Sequence, residues 1–446
     1  MSSPQPPLTP LEAHFTTLLH RRRTRSLLRH LTTAAPGTAD FSSNDYLSLS
    51  THPAIHAAFL TLLQGGTPGT PTPLGSRGSR LLDGNHPLAT QLEPLIARHH
   101  GARAGLLFNS GYDANAGLFA ALPQPGDVVV HDELIHASVH DGARLSRAGR
   151  RVAFAHNDVA ALRAVLAGLG PEVRAGRGRS VFVAVEAVYS MDGDVAPLAE
   201  VVAAVEEGLP AGNGYVVVDE AHATGVVGEG GRGLTCELGL EERVFARVVT
   251  FGKALGGSGA IVLSSPITRD YLINYARSLI YTTALPYPTL ASIKATYDFM
   301  IAGHTEPLLQ SLHSLIHRTH ALLLSLSTSH PRLIQLNPLP ATPSPIIPIF
   351  TPNPRSLAAH CQRSGYMVRA IVPPTVPAGS ERVRVCLHAG NTVAEVEGLV
   401  GAVRGWVELQ EEKEKESQQE EVRLEGRSAA GGVGQGSGAV LEKARL

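Results

Sequence analysis

Two stretches decide the fold: GYVVVDEAHATG, residues 214–225, and VVTFGKALGGSGAIVL, residues 248–263. In the first, an apolar β-branched run closes on an acid, Asp219, with His222 just behind it. In the second, a similar run closes on Lys253 and a cluster of glycines. A strand without polar alternation is buried on both faces. The acid at its end must therefore meet a cation or hydrogen-bond donors. Strands of this kind separated by helices form a mainly parallel α/β sheet, whose chemistry gathers at the C-terminal strand ends. Asp219 and Lys253 stand at two such ends.

The same texture extends outward. GDVVVHD (126–132), SVFVAVEAV (180–188) and AIVLSS (260–265) read as further buried strands, and LEPLIARHHGA (92–102) and PLAEVVAAVEEGL (197–209) as helices between them. Near residue 300 the pattern restarts with helical PLLQSLHSLIHRTHALLLSL (307–326), then SPIIPIF (344–350) and RVRVCL (382–387). The division expected is an N-terminal arm at 1–45, a large domain at 46–299, a smaller α+β domain at 300–407 and a tail at 408–446. The arm is proline-tipped and holds a basic helical stretch. The tail runs LQEEKEKESQQEEVRLEGR (409–427) into glycine and serine. It lacks the apolar residues to bury a core and is expected to be mostly disordered.

Composition narrows the function classes. The chain has 446 residues, 43% apolar and 17% charged, with a net charge of −1. No basic field argues for nucleic acid. Cys236, Cys361 and Cys386 are far apart in sequence and follow no metal spacing, which suits a reducing compartment. No apolar run approaches the roughly 20 residues of a membrane-spanning helix. The basic, acid-poor HRRRTRSLLRH (20–30) runs into folded-looking sequence, so a transit peptide is not expected. Ala444-Arg445-Leu446 resembles the S-K-L peroxisomal address. Peroxisomal residence through an import receptor is the expectation, with the cytoplasm as the alternative.

A lysine in a partly apolar site has a destabilised ammonium, so its pKa falls and it becomes a usable nucleophile and base. Pyridoxal 5′-phosphate (PLP) requires such a lysine to join its aldehyde, and an acid beside its ring nitrogen. Asp219 and Lys253 supply both. D-E-A-H also ends a strand in some nucleotide hydrolases, but those need G-x-x-x-x-G-K-[ST], and the G-K here is GKAL. The cofactor's phosphate needs backbone donors. Ser110-Gly111-Tyr112 offers them, between a strand and a helix in LLFNSGYDANAGLFAAL (106–122). His136 opens a helix in HDELIHASVHDGA (131–143), where it could stack on a flat ring or be a satisfied core histidine. Arg382 and Arg384 share one face of a strand. Either could hold a carboxylate through a bidentate pair, and an exposed edge strand reads the same way.

Together these segments resemble the α-oxoamine synthases, PLP enzymes of fold type I that condense a small amino acid with an acyl-CoA and lose CO2. The matching motifs are FSSNDYLSLS, GSRGSRLLDGNHPLATQLE, FNSGYDAN, IHASVHDGA, FAHND, VYSMDGDVAPL, VVDEAHATGVVGEGGRGL, TFGKALGGSGA, LIYTTALP and PPTVPAGSERVRVCL. They run in family order from Phe41 to about residue 390. The resemblance implies that Lys253 binds the cofactor aldehyde and later serves as base at the α-carbon. It implies that Asp219 pairs with the pyridine nitrogen, that His136 stacks on the ring, and that His222 bonds the ring hydroxyl with Ser190 nearby. Ser110, Gly111, Tyr112 and Thr250 match the phosphate cup. Thr282 and Thr283 match a pair contributed by the partner of a homodimer with shared active sites. Arg384 matches the arginine for the amino-acid carboxylate, with Asn44 close by and Arg29 as a further substrate contact.

FSSNDYLSLS, FAHNDV and PPTVPAGSERVRV read most like the family's biotin-pathway branch, which joins L-alanine to pimeloyl-CoA. Two departures bear on substrate. Val372 stands where that branch commonly has arginine, and CLHAGN (386–391) replaces the usual sequence after Arg384. A relative using another acyl-CoA, or glycine or serine, is the alternative. A catalytically silent regulatory subunit is the remote one, since such proteins typically lose the lysine.

Overall fold

The computed structural model describes residues 8–25, 27–65 and 72–430. The chain divides into two compact units after Thr38. The first contains one helix, Pro10–Thr24, opened by a Thr9–Glu12 capping box and a proline, and closed by Arg21, Arg22 and Arg23 in its last turn. This is the basic helical stretch read from sequence. Both ends suit the helix dipole.

The second unit starts earlier than residue 46. Ala39–Asp40 (β1) pairs in parallel with Tyr366–Met367, and Phe41 and Tyr46 are fully buried. The arm therefore ends at Thr38, because Ala39–Asp40 pairs with a strand of the body and Phe41 is buried in it. Seven strands follow: β2 (Ala104–Phe108), β3 (Val128–Asp132), β4 (Arg150–Phe154), β5 (Val181–Glu186), β6 (Gly214–Asp219), β7 (Ala246–Thr250) and β8 (Ala260–Ser264). They form one sheet in the order β2-β8-β7-β6-β5-β3-β4. The sheet is parallel from β4 to β7, and β8 runs antiparallel to both its neighbours. Successive valines show why these strands lack polar alternation. On β6, Val216 and Val218 enter one core, with helices Val159–Ala167 and Leu198–Gly208, while Val217 enters the other, with helices Gly111–Ala121 and Ala137–Leu145. Both faces are dry, so every residue is apolar until the strand ends.

A second sheet is antiparallel. β9 (Ile346–Phe350), β10 (Tyr366–Met367, the partner of β1), β11 (Arg369–Ile371) and β12 (Arg382–Cys386) complete the strands, with β12 central between β11 and β9. Residues 39 onward form one compact unit, and the boundary expected at 299/300 falls inside helix Tyr287–Ile301.

The tail differs from expectation. Helix Val393–Ala430 continues through residues 408–430, which sequence assigned to disorder. Its first turns are anchored by buried Val396, Leu399, Val400, Val403, Trp406 and Val407. Propagating an existing helix is far easier than nucleating one, and Glu, Lys and Gln are good helix formers with Glu411 and Lys415 at i,i+4. His330 Nδ1 also meets Glu411 Oε1 at 2.8 Å. The Ala444-Arg445-Leu446 address lies outside the described residues. Among the described residues, no helix is long and apolar enough to cross a membrane.

Candidate active site

A cavity of about 260 Å³ opens at the C-terminal ends of the parallel strands, lined by Asn44, Ser110, Gly111, Tyr112, Asn115, His136, Glu186, Asp219, Thr250 and Lys253 among others. Asp219 ends β6, and Glu186 ends β5 directly beside it in register. Thr250 ends β7, and Lys253 follows three residues later on a loop freed by Gly252 and Gly257. Residues far apart in sequence thus converge because parallel strands end at a common level.

Asp219 is held rigidly. Its Oδ2 accepts from Asn115 Nδ2 (2.7 Å) and its Oδ1 from the Ala221 amide (2.9 Å). Asn115 also donates to Ser138 Oγ (3.1 Å), which ties the carboxylate to the helix that His136 opens. His136 Nδ1 and Ser138 Oγ are 2.7 Å apart, so the imidazole is fixed at the helix N-terminus. Burial pushes the His136 pKa down against the pull of Asp219. The ring that lines the cavity is neutral, as a flat stacking wall requires.

Lys253 has a pKa of about 8. Burial is the main cause and the Arg384 guanidinium adds to it, while the Asp219 carboxylate opposes. Glu186 is pushed well above the usual carboxylate range, first by burial and then by the Asp219 charge. Two carboxyls at adjacent strand ends cannot both ionise cheaply, so Glu186 holds its proton.

At the far wall, helix Gly111–Ala121 points its N-terminus into the cavity, with Ser110 as N-cap accepting from the Asp113 amide at 3.0 Å. The first amides of a helix have no intrahelical acceptor. A Cβ on Gly111 would come within 2.5 Å of Thr250 Cγ2, so the absent side chain is what lets these two segments form a cradle. Thr250 Oγ1 is buried there without a partner. An orphaned hydroxyl beside free helix amides suits an anion. The Tyr112 hydroxyl donates to Asp141 at the rim.

On the side of the second sheet, Arg384 Nη2 donates to Asn44 Oδ1 (3.0 Å) and to the Tyr46 hydroxyl (3.2 Å). Its Nε is buried without a partner. The Tyr46 hydroxyl reaches His222 Nδ1 (2.8 Å), which burial and then Lys253 keep neutral. Arg382, two residues away, is engaged instead by Asp192 and the Ser380 carbonyl (2.8 Å from Nε), over the Phe350 ring. Of the two candidate arginines, Arg384 has an unused donor and Arg382 is committed. β12 is central and buried, so the exposed-edge alternative is removed.

Three expected residues of the second unit, Ser190, Thr282 and Thr283, stand apart from this cavity. Ser190 sits in a turn that does not line it. Thr282 and Thr283 are held by Asn109, whose Nδ2 donates to Thr282 Oγ1 (3.2 Å) and the Thr283 carbonyl (2.7 Å), outside this cavity. Arg29 lies exposed in the N-terminal unit. Sequence reading missed Asn115, Tyr46 and Glu186. Glu186 carried a usable signal: like Asp219, it is an acid closing an apolar strand.

PLP needs an amine for its aldehyde, an acid for its ring nitrogen, a flat neighbour and an anion cradle. Lys253, Asp219, His136 and the Gly111–Thr250 cradle provide these around one cavity, and the orphaned Thr250 hydroxyl is accounted for by a phosphate. The residues fit the cofactor. Among the described residues, no cluster of His, Cys, Asp and Glu could hold a metal ion.

Comparison with known proteins agrees. A profile of the family described as aminotransferase class I and II matches residues 37–403. An 8-amino-7-oxononanoate synthase of Emericella nidulans is 55% identical over 398 residues, covering 89% of this chain and 95% of that protein. The aminoacyl transferase sphA of Aspergillus fumigatus is 40% identical, over 86% and 84% of the two chains. Among solved structures, the Sphingomonas wittichii serine palmitoyltransferase aligns with a TM-score of 0.77 at 27% identity, over 89% and 98% of the two chains. A serine palmitoyltransferase solved with PLP gives the same TM-score and coverage at 26% identity. The 8-amino-7-oxononanoate synthase of Francisella tularensis gives 0.66 at 25%, over 84% and 98%. The chain is a PLP-dependent acyltransferase of the aminotransferase class I and II family, on its α-oxoamine synthase branch.

Proposed function

We propose that this enzyme joins L-alanine to pimeloyl-CoA with loss of CoA and CO2, giving 8-amino-7-oxononanoate for biotin synthesis. The observation that carries this reading is the 55% identity to the E. nidulans 8-amino-7-oxononanoate synthase along nearly the whole of both chains, combined with the Arg384 guanidinium, which bonds the cavity-lining Asn44 and keeps a buried Nε without a partner, as suits an amino-acid carboxylate.

When bound, PLP supplies an electron sink for negative charge developing at the amino acid's α-carbon. This chain's residues do the rest. Asp219, its carboxylate oxygens fixed by Asn115 and the Ala221 amide, would pair with the cofactor's ring nitrogen. The Gly111 and Tyr112 amides, Ser110 and Thr250 would hold its phosphate, and His136 would lie against its ring. Arg384 and Asn44 orient the carboxylate. With a pKa of about 8, Lys253 is a neutral amine in about half the molecules at pH 8, and so takes a proton from the α-carbon without a separate base. His222, neutral and hydrogen-bonded to Tyr46, offers its remaining ring nitrogen to the ring hydroxyl. The low-dielectric strand ends around the cavity strengthen each of these interactions.

We assign Thr282 and Thr283 to the active site of a partner subunit in a homodimer. Mixing Lys253→Ala subunits with Thr282→Ala/Thr283→Ala subunits tests this: activity returning on mixing supports shared sites, and two inert variants staying inert opposes them. Ala444-Arg445-Leu446 supports peroxisomal import, tested by imaging a tagged chain with and without the tripeptide.

The assay for function is CoA release from the holoenzyme, crossing alanine, glycine and serine against pimeloyl-, acetyl-, succinyl- and palmitoyl-CoA. Turnover confined to alanine with pimeloyl-CoA supports the reading. Preference for another acyl donor moves the enzyme toward the sphA-like alternative, which Val372 favours. Val372→Arg then tests whether that position selects the donor.

A further inference from the structure

Arg382 and Asp192 belong to no functional assignment made above, yet they join the two sheets beside the cavity. Asp192 lies in the turn after β5, within VYSMDGDVAPL. The turn is built tightly: the Gly193 amide donates to the Tyr189 carbonyl (2.8 Å), the Tyr189 amide to the Asp194 carbonyl (3.0 Å), and Val188 bridges Val195. Gly193 has φ +70°, and a Cβ there would come within 2.3 Å of the Ile346 carbonyl of β9. The turn therefore lies directly against the second sheet at a point where a side chain cannot enter.

Its other side is fixed to the large sheet. His156 stands between Asp132 (Nδ1 to Oδ1, 2.9 Å), the last residue of β3, and Asp194 (Nε2 to Oδ2, 2.7 Å). Asn157 adds bonds from its amide to Asp132 Oδ2 (2.9 Å) and from Nδ2 to Asp194 Oδ2 (2.6 Å), and the Tyr189 ring meets the imidazole edge-on at 4.4 Å. FAHND and VYSMDGD thus meet as one joint. From it Asp192 reaches Arg382, 4% exposed, on the central strand of the second sheet. Two residues on, along the same face of β12, comes Arg384.

We propose that Asp192 and Arg382 are positioning residues for the amino-acid substrate: their ion pair sets where β12 stands relative to the large sheet, and so where the Arg384 guanidinium stands behind the cavity-lining Asn44. The joint at His156 makes the anchor rigid. β12 is a short strand, and a displacement of its Arg382 end carries Arg384 with it. A carboxylate bonded by a planar fork is sensitive to such displacement. The inference rests on the proposed role of Arg384 in amino-acid binding.

The test titrates PLP-loaded wild type, Arg382→Gln, Arg382→Lys and Asp192→Asn with L-alanine, following the cofactor's visible spectrum for Kd. Steady-state kinetics and hydrogen exchange across residues 188–196 and 382–386 accompany it. Arg382→Gln and Asp192→Asn are expected to raise Kd and KM for alanine about tenfold or more, with kcat changed less than about threefold and faster exchange in both segments. Arg382→Lys, which keeps the charge, recovers most of the affinity. Asp192→Asn is nearly isosteric at a more exposed position, and stands in if Arg382→Gln does not fold. Unchanged alanine affinity in the variants, beside a wild type that binds alanine, overturns the inference alone. Equal losses in kcat and Tm with no selective rise in KM overturn it as well, since that pattern marks general destabilisation. A wild type that binds no amino acid overturns the proposed function and this inference with it.

Discussion

The two sheets bring charge to the cavity in opposite ways. The large sheet does so at strand ends, where β5 and β6 run apolar to Glu186 and Asp219, and Lys253 follows just beyond β7. The second sheet does so from within a strand, where β12 buries Arg382 and Arg384 between neighbours on both sides. At a strand end, position along the chain determines what a residue can do, because all parallel strands finish at one level. Within a strand, two arginines of the same face are equivalent until their partners are known. Asp192 takes one, and the other keeps a free Nε.

The sharpest way to break this comparison is at Lys253. Lys253→Ala is expected to lower kcat/KM by roughly a thousandfold or more, as loss of a covalent nucleophile and base does, while Tm changes little or rises, since a cation is removed from a buried site. Asp219→Asn keeps the shape and loses the charge; roughly a hundredfold loss in kcat is expected from losing one electrostatic partner of the reacting group. If Asp219→Asn retains full activity, the strand-end assignment fails. The second sheet predicts a different signature. Arg384→Ala removes a charge-assisted pair of about 1.5–3 kcal/mol, so KM for the amino acid is expected to rise roughly tenfold to a hundredfold, leaving KM for the acyl-CoA nearly unchanged.

A pH profile sharpens the same contrast at lower cost to the fold. Lys253 must be neutral to accept a proton, and its pKa lies at about 8. The rate limb governed by it therefore falls as pH drops below about 8. Glu186→Gln removes a group that holds its proton, and so should leave that limb in place. A limb that instead shifts to lower pH in Glu186→Gln would show that Glu186 is ionised and supports the lysine charge.

How much of this was legible in sequence follows from the same physics. The five strands read from sequence, the helix after Ser110 and the placement of Asp219 and Lys253 all rest on local rules: period, burial on both faces and strand termination. β4 was missed because RRVAF lies at the sheet edge and is largely exposed, so it lacks the continuous apolar run of its neighbours. Residues 408–430 were misread because composition speaks to whether a segment can fold alone, and this one is propagated from a packed helix. Asn115 and Tyr46 gave no signal, since a polar residue's importance came from a partner 104 or 176 positions away. The choice between Arg382 and Arg384 was open for the same reason.

The smallest expected effect concerns the joint that His156 makes between the sheets. Burial, the largest single influence on its ring, pushes its pKa down, but hydrogen bonds and charge from Asp132 and Asp194 together raise it to about 10. The folded pKa thus lies above the unfolded value of about 6.5, so folding binds a proton. The stability gained is fully present below about pH 6.5 and is lost as pH rises toward 10. Asp132 acts in the other direction: burial raises its pKa, but the bonds from His156 and the Asn157 and Leu134 amides bring it below the usual value. Its share is lost as pH falls through the carboxylate range. The wild-type Tm is therefore expected to decline gradually from near pH 6.5 toward pH 10. His156→Asn should lower the neutral-pH Tm by the equivalent of about 3 kcal/mol, because two carboxylates are left facing each other, and should flatten that decline. A Tm profile with the same slope in both proteins would mean that the imidazole is neutral in the fold and that the joint is held by its hydrogen bonds without the charge.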